Sequence, residues 1–265
     1  MSVRGSVPRG RRRFLVLPRL GDDIHKVFIK HSKKFHVKTA LTLAYHVLVS
    51  LEYVHDCGYV HSDIKAKNMV LGGGLATSSP VYLLDFGLAS RYVYRSGVHK
   101  EYRFDGRKAE IGTLEFSSRD AHIGAVSRRS DLESLGYNLV RWLEGKLPWD
   151  SELSNPDSVK ALKERAMANV MSFINSAFPH NNKPPCFIDT LADYLLYVGS
   201  LEFDTRPDYD YCRRLFSKGI RDAGYLDDAK LTFVSHARLK PSSRKVNFER
   251  LRKFRKFGLV DAIRC

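Results

Sequence analysis

The sequence predicts an α+β fold, mainly helical with a few short strands, and three observations carry that expectation. "KTALTLAYHVLVSLEYVHD" (38–56) sets Leu41, Ala44, Leu48, Leu51 and His55 at three- and four-residue steps, the period of one helix face. "DLESLGYNLVRWLEG" (131–145) is apolar on most sides and ends at Gly145, the pattern of a core helix with a glycine cap. Short apolar runs cluster around 14–17 and 69–85, where β structure is expected beside these helices.

Taken in chain order, "FLVLPRLG" (14–21) starts as a buried strand and breaks at Pro18 and Gly21. The 38–56 helix follows. "GGGLATSSP" (72–80) reads as a surface loop, and "VYLLDFG" (81–87) opens as a short apolar strand. After the core helix, "SNPDSVKALKERAMANVMSFINSAF" (154–178) carries strong start signals. Asn155 is a natural N-cap, Pro156 fits the first turn, and Asp157 suits the positive helix end. "FIDTLADYLLYVGSL" (187–201) and "RPDYDYCRRLFSKGI" (206–220) predict two more helices. No internal repeat is present.

A chain of 265 residues, 43% of them hydrophobic, can bury a sizeable core. No run of eighteen apolar residues occurs, so no membrane span is expected. The first eighteen residues are basic, but their apolar stretch is too short for a secretory signal. Cys57, Cys186, Cys212 and Cys265 are scattered, which suits reduced cytosolic or nuclear thiols and argues against a disulfide frame or zinc site. The net charge of +15 sits at the ends. Residues 1–13 hold five arginines and no acid; residues 233–265 hold ten Lys or Arg against Glu249 and Asp261. Three segments follow: a basic head expected to be disordered (1–13), a globular body (14–232) and a basic tail (233–265). In the tail, Phe248, Leu251, Phe254 and Phe257 recur at three-residue steps among basic residues, a possible amphipathic helix. It suits docking onto its own lobe, onto an acidic partner or nucleic acid, or onto a membrane surface.

Two motifs carry chemistry. "YVHSDIKAKNMVL" (59–71) sets Asp63, Lys65 and Asn68 on a stretch too polar for a buried strand and too irregular for a helix face; "YLLDFGLA" (82–89) adds Asp85. A loop Asp can take a proton from a hydroxyl, and a Lys two residues on can neutralise charge on a transferred group. An Asn carbonyl and a second carboxylate are hard oxygen ligands of the kind Mg²⁺ prefers. Gly87 is expected to let the backbone turn Asp85 toward the metal. Together these parts suit phosphoryl transfer from Mg-ATP to an alcohol. Each residue alone has a bland reading: a solvated lysine, an Asn holding a turn, an Asp at a helix start.

The two motifs, "GVHKEYRFDGRKAEIGTLEFSSRDAHIGAVSRRSDLESLGYNLVRWLEGKLPWD" (97–150) and "RPDYDYCRRLF" (206–216) together resemble the large C-terminal lobe of a protein kinase. The likeness is to the casein kinase one group and its vaccinia-related branch, over about residues 14 to 231, with "GTLEFSSRDAHIG" as its specific mark. The resemblance implies a kinase-like fold and ATP and Mg²⁺ as cofactors. Asp63 would be the catalytic base, Lys65 the γ-phosphate contact, and Asn68 and Asp85 the metal ligands. Thr113 would bond Asp63 and Lys65, a pattern suited to Ser/Thr acceptors. Leu17 and Leu20 would sit at the adenine hinge, with Val70 beneath the ring, although core packing explains these three nearly as well. Asp131 would tie the catalytic loop to the core helix. Protein substrates, chromatin-associated ones above all, and nuclear residence (or cytoplasmic and nuclear) follow from the same likeness. Many kinases carry Arg before the catalytic Asp to hold an activation-segment phosphate; Ser62 stands there instead, so this segment is expected to order without phosphorylation.

The small N-terminal lobe is expected to be absent. Only sixty-two residues precede Asp63, and these already hold the hinge strand and a long helix. "RGSVPRG" is interrupted by Pro8, and neither a strand lysine nor a helix glutamate to pair with it is found there. The chain is therefore expected to be weakly active or inactive alone. A shortened form of a full kinase is one explanation; a non-catalytic lobe that binds or regulates partners is the alternative.

Overall fold

The computed structural model describes residues 3–6, 13–73, 80–109, 111–179 and 185–233. Its helices are α1 (Ile24–Lys30), α2 (Val37–Asp56), α3 (Arg119–His122), α4 (Arg128–Glu144), α5 (Pro156–Ala168), α6 (Val170–Ala177), α7 (Pro185–Ser200) and α8 (Tyr209–Asp222). Three antiparallel two-stranded pairs accompany them: β1 (Val3–Ser6) with β2 (Arg13–Val16), β3 (Tyr59–Val60) with β6 (Ser90–Arg91), and β4 (Met69–Leu71) with β5 (Val81–Leu83). The architecture is the expected one, helical with short strands.

Helix α2 is the spine of the core and packs on α8 and α4, while α7 covers α4 and α8. The sequence suggests an amphipathic α2, but Val37 to Leu48 is buried on every side. Its polar groups are met by the chain's 228–232 segment. Lys38 Nζ lies 3.0 Å from Asp228, Thr39 donates to the Thr232 carbonyl, and His46 Nε2 faces the Ala229 carbonyl at 3.1 Å. Helix α4 begins on the Ser127 side chain and ends at Gly145, which takes φ 84 as a C-cap. A Cβ there would lie 2.7 Å from the Lys33 carbonyl, so glycine is needed both for the turn and for that close approach. Tyr137, Trp149 and Phe173 stack beneath α4 in one aromatic cluster.

Three expectations change. Residues 3–6, inside the head expected to be disordered, form β1 and pair with β2, Val3 opposite Val16 and Ser6 opposite Arg13. Pro8 and Gly10, residues that favour turns, fall between the two segments in the sequence. The 154–178 helix is two helices. Asn169 leaves helical geometry (φ −139, ψ 80), and its side chain accepts from Ser172 N to cap α6. Asn155 does cap α5, with Pro156 in its first turn. Helix α1, capped by Asp23, was not legible beforehand because it runs only seven residues. Among the described residues no helix is long and apolar enough to cross a membrane. Cys57 and Cys212 are free thiols. The tail helix (with Phe248 to Phe257) and most of the 72–80 loop lie outside the described residues.

Candidate active site

Strand β3 leads into a loop whose backbone is fixed from below by Asp131. This carboxylate is 1% exposed and accepts from His61 N at 2.7 Å, Ser62 N at 2.9 Å and His55 Nε2 at 2.9 Å. His55 Nδ1 in turn accepts from the Tyr209 hydroxyl of α8. Burial alone would raise the Asp131 carboxyl; the hydrogen bonds from the His55 ring and the His61 amide take it below the usual range. One carboxylate thus joins α2, α4, α8 and the loop, the structural role expected of it. Ser62 adopts φ 66, a left-handed conformation rare in a residue with a Cβ. That turn delivers the next side chain, Asp63.

Asp63 is 8% exposed and sits in a closed triangle. Lys65 Nζ is 2.7 Å from its Oδ2 and donates to Thr113 Oγ1 at 2.8 Å; Thr113 Oγ1 donates to Asp63 Oδ1 at 2.9 Å. Thr113 reaches across because Gly112, at φ 103, lets the chain pass over the loop. A Cβ on Gly112 would come within 2.8 Å of the Ser62 carbonyl.

Asn68 closes the loop through a 3₁₀ turn (Ala66–Asn68) into β4. Its Nδ2 donates to the Asp63 carbonyl at 2.9 Å and to Asp63 Oδ2 at 3.0 Å. Both bonds engage the amide nitrogen, so the amide oxygen is left to face away from Asp63. The β4–β5 pairing then carries Asp85 to the same end of the hairpin: Leu84 N donates to the Asn68 carbonyl at 2.8 Å, and His61 Nε2 donates to the Leu84 carbonyl at 2.9 Å. His61 Nδ1 accepts from Asp63 N, so a single tautomer of this buried ring serves both motifs. The ring also meets Phe86 edge-on at 4.9 Å. Asp85 itself, not Gly87, takes the left-handed conformation (φ 62, ψ 73), and its exposed carboxylate accepts from Gly87 N at 3.3 Å. Gly87 therefore supplies an amide where a backbone swing was expected.

The donor set fits a divalent cation held mainly by oxygen. Asn68 and Asp85 offer one amide oxygen and one carboxylate, and among the described residues no group of three His, Cys, Asp or Glu forms a closed metal cage. Mg²⁺ characteristically takes few protein ligands and completes its shell with phosphate and water.

The hinge residues are less tightly placed. Gly21 N donates to the Leu71 carbonyl at 2.8 Å, Leu71 N donates to the Asp22 carbonyl at 3.1 Å, and Asp23 bridges Val70. Half-buried Leu20 and buried Val70 therefore belong to one local ladder. Leu17 stands 40% exposed just after β2, and no hydrogen bond among the described residues ties it to the Asp63 group.

The segment after Gly112 is anchored by residues the sequence did not single out. Lys163 of α5 is fully buried and donates to the Leu114 carbonyl at 2.6 Å and the Ser117 carbonyl at 2.7 Å, over the Trp149 and Tyr137 rings. Burial pushes its pKa down to about 7, against the opposing pull of Glu133 and Glu115. Arg119 meets Glu133 of α4 at 3.0 Å, and Asp120 takes a two-pronged contact from Arg129 at 2.9 Å on each oxygen. A signal for Lys163 existed: it shares a helix face with Val159, Ala166 and Met167, an odd place for a solvated lysine.

Comparison with known proteins accords with this geometry. Residues 2–207 match the protein kinase domain family. Nucleosomal histone kinase 1 of Drosophila melanogaster is 37% identical over 239 residues, 89% of this chain and 38% of that protein. Serine/threonine-protein kinase VRK2 of Homo sapiens is 39% identical over 216 residues, 81% of this chain and 41% of its own length. The B1 kinase of Monkeypox virus is 35% identical over 211 residues, 78% of this chain and 67% of that protein. The solved structure of vaccinia related kinase 3 aligns with a TM-score of 0.69 at 33% identity, over 79% of this chain and 63% of that one. The chain thus spans about two fifths of the length of its fly and human relatives. Taken with the Asp63, Asn68 and Asp85 loops, these matches make the chain a member of the protein kinase family, in its vaccinia-related branch.

Proposed function

We propose that this chain forms the acceptor and metal side of a Ser/Thr protein kinase site, working on Mg-ATP and protein hydroxyls. The observation that carries the reading is the Asp63–Lys65–Thr113 triangle, with Asn68 bonded to Asp63. In this reading Asp63 orients the hydroxyl and takes its proton, while Lys65 turns from Asp63 to the transferred phosphate as negative charge develops. Thr113 keeps both in register. Asn68 and Asp85 hold Mg²⁺, which neutralises the phosphate oxygens when bound. Leu20 and Val70, with Leu17 above, flank the adenine.

Chromatin proteins are the favoured substrates and the nucleus the favoured location (alone or shared with the cytoplasm). The name of the fly relative and the basic ends of this chain support both. The second reading, a lobe that binds or regulates partners without catalysis, gives no chemical reason for the chain to carry Asp63, Asn68 and Asp85 together.

The test is magnesium-dependent transfer of labelled phosphate to histones by the purified chain, alongside nucleotide binding followed by fluorescence. Ser/Thr labelling that Asp63→Asn abolishes, with nucleotide binding kept, is the expected result. Labelling that survives Asp63→Asn, or nucleotide binding indifferent to Asp85→Asn and to magnesium, would defeat the assignment.

A further inference from the structure

The carboxylate that fixes the loop before Asp63 is itself fixed from behind. Tyr209, the first residue of α8, donates to His55 Nδ1 at 2.5 Å, and His55 Nε2 donates to Asp131 Oδ2 at 2.9 Å. Asp131 in turn accepts from the His61 and Ser62 amides. All three side chains are buried, so water does not compete for these bonds. An ionised carboxylate only accepts, so His55 must offer N–H at Nε2, and its Nδ1 is then a lone pair that needs a donor. Tyr209 supplies it. Burial pushes the Tyr209 hydroxyl pKa up, against the pull of Arg128 and Arg206, so the group stays protonated. The donors therefore run one way, from α8 toward the loop. At its far end Ser62 holds φ 66, a conformation that persists only where neighbours over-determine it. The two Asp131 bonds do so. The other motif meets the same histidine: Tyr92, just after β6, donates to the His55 carbonyl at 2.7 Å.

We propose that Tyr209 is a positioning residue for phosphoryl transfer: through His55 and Asp131 its hydroxyl holds Ser62 in the turn that aims Asp63. The inference rests on the kinase reading of Asp63. Among the described residues no hydrogen bond joins Tyr209 or His55 directly to Asp63, Lys65 or Thr113, so the effect passes through Asp131. Tyr209→Phe keeps the ring and its place under the Arg206 guanidinium, 5.4 Å away, but leaves His55 Nδ1 buried without a donor. His55 then loses the contact that fixes its ring, and the hold of Asp131 on the two amides loosens.

The test sets Tyr209→Phe beside Tyr194→Phe in the full chain. Tyr194→Phe removes another buried hydroxyl from the same core, one that donates to the Leu132 carbonyl at 2.9 Å and lies outside the relay. With labelled phosphate transfer to a serine peptide, Tyr209→Phe is expected to lower kcat about tenfold and leave peptide KM and magnesium-nucleotide affinity unchanged. Tyr194→Phe should leave all three alone. The His61 and Ser62 amides should exchange hydrogen about tenfold faster in Tyr209→Phe, and at the parent rate in Tyr194→Phe, with α4 amides protected alike in both. Ring-nitrogen NMR of the parent chain adds a check that needs no variant: His55 should carry its proton on Nε2 alone. A proton on Nδ1, an equal loss of kcat in the two variants, or unchanged His61 and Ser62 exchange in Tyr209→Phe overturns the relay. Absence of transfer by the parent chain, with the exchange and NMR results as expected, would defeat the transfer reading and leave the relay standing.

Discussion

At Ser62 a side chain occupies a backbone conformation that glycine fills without strain. The left-handed region costs an L-residue roughly 1–2 kcal/mol, while glycine adds about 0.5–1 kcal/mol of unfolded-state entropy. Ser62→Gly is thus expected to stabilise the chain by about 0.5–1 kcal/mol, read as a higher urea midpoint at constant slope. His122 makes the opposite kind of demand. Burial, reinforced by the charges of Lys163 and Lys160, pushes its pKa down to about 4, and its Nδ1 is buried without a partner. An unfolded histidine titrates near 6.5, so between about 6.5 and 4 the unfolded chain binds a proton that the folded chain refuses. This group costs nothing above that window, destabilises progressively as pH falls through it, and adds no further loss below. Urea midpoints measured from pH 7 to 4 should fall less steeply for His122→Gln than for the parent chain; parallel curves would refute the assignment.

The segment from Gly112 to Ser127 is held by buried pairs from α4 and α5. Lys163, Glu133 and Arg129 each reach it from a helix. That pinning gives a physical basis for the expectation, drawn from Ser62, that ordering here needs no modification. Lys163→Met keeps the volume of the stem but leaves the Leu114 and Ser117 carbonyls without their donor. Its expected cost is about 2 kcal/mol, partly offset by removing a desolvated charge. Trypsin should then cut between Arg103 and Arg119 faster than in the parent chain, with the rest of the lobe still resistant. Unchanged cleavage would mean that Arg119 and Asp120 suffice to hold the segment.

For the whole molecule, charge and apolar surface are distributed unevenly. The middle of the chain is nearly neutral, and the positive excess lies at the two ends. Exposed Leu88, Tyr94, Val98, Tyr102 and Phe104 follow Asp85 in the chain. If the tail serves a polyanion, DNA binding by the whole chain should weaken steeply with salt, as counterion release requires, and drop on removal of residues 234–265. A salt-insensitive residue of binding, or no effect of the truncation, would point instead to the tail packing on its own lobe.

How much was legible beforehand divides along the same scales. Helices α2, α4, α7 and α8 declared themselves through period, and Asn155 and Gly145 through cap chemistry, because these are local properties of a chain. The two motifs that hold Asp63, Asn68 and Asp85 were readable from residue type and order alone. What period and order lack is a record of which distant groups meet. They gave no hint that the 228–232 segment would meet the polar groups of α2, that Asn169 would break a continuous apolar pattern, or which carbonyls the buried Lys163 would reach. By itself, then, the sequence determined the helical scaffold and the chemical parts list, since both depend on neighbours a few residues apart. Only the tertiary structure decided that Asp131 would knit four elements together and that Lys163, Glu133 and Arg129 would hold the segment after Gly112, since burial and charge pairing depend on residues that are remote in sequence and adjacent in space.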